Sequence, residues 1–89
     1  MTIELGHVLA TPGALGALTE AGVYPTELLN RHVQGDWGNI CPDDWSLNDR
    51  AVQDGERILS VYELATGVRV WVITEADRSA TTLILTEEY

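Results

Sequence analysis

The chain has 89 residues and a net charge of −9, with fourteen acidic side chains against five basic ones, all of them arginine. That length holds one core and one simple site, which excludes a Rossmann half with a substrate domain, a TIM barrel or a kinase lobe. The charge excludes attraction to DNA, RNA or an anionic membrane by bulk electrostatics, because all three are polyanions.

Hydrophobic residues make up 45% and charged residues 21%, the mix of a globular domain. A single domain over 1–89 is expected. The only cysteine, Cys41, rules out an intrachain disulfide and any multi-cysteine zinc site. The opening MTIELGHVLATPG has no basic stretch and no long apolar run. It reads as neither a secretory signal nor a membrane span, so the cytoplasm is the expected compartment.

In chain order, 3–9 alternates apolar and polar residues and predicts a short edge strand, weakened by Gly6. Thr11 and Pro12 open a helix over 12–21, with Leu15 and Leu18 three apart and Gly22 as the stop. Pro25 and Glu27 open a second helix, with Leu28, Leu29, His32 and Val33 on one stripe and Gly35 at its end. Gly35-Asp36-Trp37-Gly38 predicts a tight turn. Pro42-Asp43-Asp44 opens a third helix that carries Trp45, Asn48 and Val52 on one stripe and ends at Gly55.

From Arg57 the period changes from 3.6 to 2. In 57–64, Ile58, Ser60 and Tyr62 share one face and Leu59 and Val61 the other; 68–74 and 80–86 follow after short turns. The expected fold is α+β. Two or three short N-terminal helices pack on a C-terminal three-stranded antiparallel meander, with a possible N-terminal edge strand. The meander would leave 80–86 as a free edge, through which two chains could pair as a homodimer.

Named catalytic and metal signatures are missing from the sequence. It has no Gly-rich loop with lysine, no G-x-G-x-x-G after a strand, no HExxH, no EF-hand loop and no G-x-S-x-G elbow. No cofactor and no metal is expected. The densest polar cluster is His32, Asp36, Trp37, Asp44 and Asn48. Asp36, four residues after His32, would orient the imidazole or raise its pKa for general acid/base work. The competing meaning is a capped helix end with Trp37 plugging the core.

A strand cluster of Arg57, Ser60, Tyr62, Arg69, Thr74, Asp77, Arg78, Thr81 and Thr82 gives the enzyme alternative. There His32 is the base of a small metal-independent ribonuclease or toxin-like enzyme, assisted by Arg57, Ser60, Tyr62 and Thr82. Against it stand the negative charge and the ordinary use of threonine in strands. The acidic row Asp43, Asp44, Asp49, Asp54 and Glu56 would mimic nucleic-acid phosphates toward a basic partner, or simply solvate a helix face. Asp36 and Trp37 complete that expected partner surface, since exposed tryptophans anchor interfaces.

The segments HVQGDWGNI (32–40), RILSVYEL (57–64) and VWVITEADRSATTLILTEEY (70–89) resemble a family of small bacterial proteins carried on plasmids and other mobile elements. The resemblance spans nearly the whole chain. Leu85-Thr86-Glu87 departs from the Leu-Pro pair the pattern leads one to expect. Some members are labelled the modification subunit of a type I restriction enzyme. This chain is too short for such a methyltransferase, and it has neither a Gly-rich S-adenosylmethionine loop nor an Asn-Pro-Pro-aromatic motif. The resemblance therefore implies a genomic setting. With the charge, it leads to an acidic, non-enzymatic interaction protein, an anti-defence DNA mimic acting on a basic nucleic-acid-handling host protein such as a restriction or CRISPR component.

Overall fold

The computed structural model describes residues 3–89. The elements in chain order are β1 (His7–Ala10), α1 (Pro12–Ala21), α2 (Pro25–Val33), α3 (Pro42–Asp54), β2 (Ile58–Glu63), β3 (Arg69–Thr74) and β4 (Ala80–Leu85). A single 3-10 turn, Thr86–Glu88, follows β4. Among the described residues no helix is long and apolar enough to cross a membrane.

The helix boundaries follow local chemistry. Thr11 caps α1 by accepting the Ala14 N–H at 3.1 Å, and Pro12 fills the first turn, where its missing donor costs nothing. Gly22 closes α1 at φ +71°, with its N–H and that of Val23 returned to the last turn. Pro25 starts α2 and Pro42 starts α3. Asp43 and Asp44 in the first turn of α3 complement the positive end of its dipole.

The four strands form one mixed sheet in the order β1-β4-β3-β2. β2, β3 and β4 pair antiparallel, as the alternation from Arg57 onward predicts. β1 pairs parallel with β4, His7 opposite Ala80. Three expectations are corrected. The sheet is four-stranded and mixed, and is not an antiparallel three-stranded meander. The helices lie between β1 and β2 in the chain, not ahead of the whole sheet. The supposed free edge at 80–86 lies inside the sheet, bonded on both sides, so a dimer cannot form through it. A period-2 pattern tells which side chains face the core; it does not tell which strand lies beside which.

All three helices cover one face of the sheet. That face carries Ile58, Ser60 and Tyr62 from β2, Val70, Val72 and Thr74 from β3, and Thr81, Leu83 and Leu85 from β4, aligned by the register. Two apolar clusters lie beneath the helices. The larger joins Ala14, Leu18 and Leu28 to Tyr62, Leu64, Val70, Val72 and Leu83. The smaller joins Ile3, Trp37, Ala51 and Ile58. The opposite sheet face carries Leu59, Val61, Trp71, Ile73, Thr82, Ile84 and Leu9. There Tyr89 stacks on Trp71 at 4.8 Å between ring centroids, and the Arg57 guanidinium lies 5.3 Å from the Tyr89 centroid.

Both outer strands depend on a glycine. Gly6, at φ +64°, lets the chain enter β1 against the Ser79 carbonyl, where a Cβ would collide. Gly38, at φ +78°, lies as close to the Val61 carbonyl beside β2. Only glycine takes such a backbone with no side chain in the way.

Candidate functional site

His32 sits on the apolar stripe of α2, four residues after Leu28, and this places it over the sheet. It is completely buried. Its Nδ1 lies 2.6 Å from Ser60 Oγ and its Nε2 2.8 Å from Thr74 Oγ1. Thr74 Oγ1 lies 2.8 Å from Thr81 Oγ1, which donates at 2.8 Å to the Leu5 carbonyl.

That last bond sets the direction of the chain. A carbonyl only accepts, so the Thr81 proton is committed to Leu5. Thr81 then accepts from Thr74, and Thr74 accepts from His32 Nε2–H. The imidazole is therefore the Nε2–H tautomer, and its bare Nδ1 accepts the Ser60 hydroxyl. Burial first, and the Arg78 charge second, lower the His32 pKa to about 4, so the ring is neutral at pH 7. No buried side-chain polar atom is left without a partner among the described residues. Ser60, Thr74 and Thr81 are buried with His32, so this polar line separates the two apolar clusters.

Asp36 does not reach His32. It bonds Arg31 Nε at 2.7 Å and accepts the Gly38 N–H at 3.1 Å. The Arg31 hydrogen bond holds its carboxyl below the usual range. Arg31 also lies 4.5 Å from the Tyr62 ring centroid, and the Tyr62 hydroxyl donates at 2.7 Å to the Asp36 carbonyl. Burial pushes the Tyr62 phenol up to about 12. The expectation that Asp36 orients the imidazole or raises its pKa is overturned: the nearer cation takes the carboxylate, and burial moves His32 the other way.

The five residues of the enzyme alternative divide between two faces of the sheet. His32, Ser60 and Tyr62 are buried under the helices. Thr82 is on the opposite face, paired with Ile73. Arg57 is exposed there, 3.9 Å from Glu75. Ser60 and His32 have the spacing of a hydroxyl and its base, but no face of either reaches a groove that a substrate could enter. Among the described residues no group of three or more His, Cys, Asp or Glu is placed to hold a metal.

The expected partner surface is also redistributed. Trp37 is wholly buried, edge-on to His32 at 5.6 Å, and its indole N–H donates to Asp49 at 2.9 Å. It is a core residue, not an exposed anchor. Asp49 is committed to that indole, and Asp36 to Arg31. Asp43, Asp44, Asp54 and Glu56 are exposed, and none is ion-paired among the described residues. They border α3, whose Asn48 faces inward and grips β2, with Nδ2 donating to the Leu59 carbonyl at 2.6 Å and Oδ1 accepting the Leu59 N–H at 3.2 Å.

Sequence reasoning missed the role of Asn48 and of Asn39. The Asn39 N–H donates at 2.6 Å to the Val61 carbonyl, the Val61 N–H donates at 3.1 Å to the Trp37 carbonyl, and Asn39 Oδ1 accepts the Glu63 N–H at 2.9 Å. A buried stripe position held by asparagine between Trp45 and Val52 was the available signal for Asn48. No family model, curated protein or solved structure matches the chain.

Proposed function

We propose that the protein is an acidic, non-enzymatic interaction protein of mobile genetic elements that binds a basic, nucleic-acid-handling host defence protein. The observation that carries this reading is the row of exposed carboxylates on α3 and just past its end, Asp43, Asp44, Asp54 and Glu56, none of them ion-paired among the described residues. Carboxylates held on a rigid helix present charge at fixed spacing and lose little side-chain freedom on binding a cationic groove. The mobile-element setting rests on the resemblance carried by the GDWG and RILSVYEL segments, and the basic partner on the net charge of −9.

Ion pairs at such a surface mainly steer and speed association, so binding weakens as salt rises. The test is a pull-down from native lysate, washed across a salt series and read by mass spectrometry. It is run in parallel with a variant combining Asp43→Asn, Asp44→Asn, Asp54→Asn and Glu56→Gln. The expected result is a basic nucleic-acid-binding protein released by moderate salt and lost with the variant. Equal recovery by the variant, or a bait with no partner, overturns the reading. The His32 network supports no second reading, because both ring nitrogens are bonded and the ring is sealed from solvent.

A further inference from the structure

Among the described residues, the outer side of β1 is the one long side of the sheet that is left uncovered. The His7 N–H donates at 2.9 Å to the Ser79 carbonyl and the Thr11 N–H at 3.0 Å to the Leu83 carbonyl. In a parallel ladder the backbone groups of alternate residues face the partner strand. Residues 7, 9 and 11 therefore face β4, and Val8 and Ala10 direct both their N–H and C=O away from it. No other segment bonds these groups among the described residues. Val8 and Leu9 are 47% and 54% exposed.

We propose that β1 pairs antiparallel with β1 of a second copy of this chain, about a two-fold axis through Leu9. The reading is independent of the proposed α3 surface. Three observations select a second copy over any other strand. First, the free groups are self-complementary: with Leu9 opposite Leu9, Val8 of each copy exchanges both backbone bonds with Ala10 of the other, four bonds in all. Second, β1 itself is uncharged. His7–Ala10 has no carboxylate, Glu88 at its end is engaged by the Thr11 hydroxyl at 2.6 Å, and the acidic helix α3 packs at β2, across the sheet from β1. Two chains of net charge −9 approach through β1 with those helices at the far ends of a joined eight-stranded sheet. Third, the β2 edge is closed by Asn48 and the 37–39 segment, so pairing stops at two copies and does not run on as a fibre.

Leu9 lies on the open sheet face in one row with Thr82, Ile73 and Leu59, so its contact with Leu9 of the other copy joins two apolar rows. The strand is four residues long, bounded by Gly6 and by Pro12. The contact is small against the roughly 1,200 Å² of a stable interface, so the dimer is concentration-dependent.

The first experiment is sedimentation equilibrium from about 10 μM to about 1 mM, which spans the dissociation constants of weak complexes. The expected mass rises from that of the monomer toward twice that value. Val8→Pro removes a donor that β4 does not use, and it is expected to weaken the dimer by about tenfold or more. The second is oxidation of Leu9→Cys in a Cys41→Ser background. Opposed residues at a non-hydrogen-bonded pair have Cα atoms about 4.5 Å apart, within disulfide reach, so a covalent dimer forms. Exposed Leu47→Cys on α3, in the same background, is the control and stays monomeric.

A chain that remains monomeric throughout overturns the proposal and leaves the edge to an extended segment of another protein. A dimer that withstands Val8→Pro and does not cross-link through Leu9→Cys overturns it equally. Should Val8→Pro fail to fold by circular dichroism, the cross-linking pair decides.

Discussion

At the β2 edge, Asn48 takes both backbone groups of Leu59, the 37–39 segment takes both of Val61, and Asn39 takes the N–H of Glu63. At the β1 edge, Val8 and Ala10 hold theirs out to solvent, and the adjoining apolar side chains stay half-exposed. The first edge is sealed by residues brought from three positions in the chain. The second is guarded only by being short. Unpaired strand edges invite other strands, and folds answer by covering them or curtailing them. This chain uses one answer on each side of a single sheet, so any strand-mediated contact is confined to β1.

The closed side should be costly to open. Asn48→Ala strips both backbone groups of Leu59 of their partner in a half-buried place. We expect a loss of about 2–4 kcal/mol in urea unfolding, with new self-association in light scattering. Unchanged stability would show that water replaces the amide and that the edge was never sealed.

The next effect lies between the edges, where His32 ties β2 to β3. Its pKa is lowered from 6.5 to about 4 in the folded protein. A lowered histidine pKa means that the unfolded chain binds the proton more readily. The stability it gives is complete above pH 6.5 and drains away as pH falls toward 4. By pH 5 the loss should reach about 2 kcal/mol, against the relief of self-repulsion in an acidic chain. Urea midpoints of the protein and of His32→Gln, compared between pH 7.5 and 5, isolate the difference. Parallel curves would mean that the ring is not held neutral.

Gly38→Ala should cost about 2 kcal/mol, since it forces a positive φ on alanine and drives its Cβ into the Val61 carbonyl. On the open sheet face, Tyr89→Ala removes the ring over Trp71 and the seat of the Arg57 guanidinium. The expected loss is about 1 kcal/mol, checked by thermal unfolding followed through tryptophan fluorescence. At the open edge, Val8→Thr should change monomer stability by less than about 0.5 kcal/mol. A larger loss at low protein concentration would mean that β1 carries more of the fold than its exposure indicates.

Most elements were legible in the sequence, because each rests on short-range chemistry. Thr11-Pro12 and Gly22 bracket α1, Pro42 and Gly55 bracket α3, and the inward sets Ile58-Ser60-Tyr62 and Val70-Val72 follow from alternation. The pairing of β1 with β4 was not legible. It joins the two ends of the chain, and no local pattern records which neighbour a strand will find. The site divided similarly. The α3 carboxylates stand exposed where a charged helix stripe puts them, whereas Trp37 went inside because Asp49 satisfies its indole. His32 looked like half of a His–Asp pair at i, i+4. The signal against this was its place on the apolar stripe with Leu28, above strands whose inward positions carry Ser60, Thr74 and Thr81.

The strand order has a consequence for biosynthesis. Among the described elements β1 is made first, yet its one bonded neighbour there is β4, the last of the described strands to be made. Thr81 reaches back to the Leu5 carbonyl across 76 residues, and Glu88 to Thr11 across 77. Until those late residues emerge, β1 has no strand to pair with, and the polar line through His32 lacks Thr81, its link to the Leu5 carbonyl. Closure over such a span is slow and leaves apolar strand residues uncovered meanwhile. Translation arrested shortly before residue 80 would release a chain with α1, α2 and α3 complete but no strand to hold β1, a form suited to capture by chaperones or proteases.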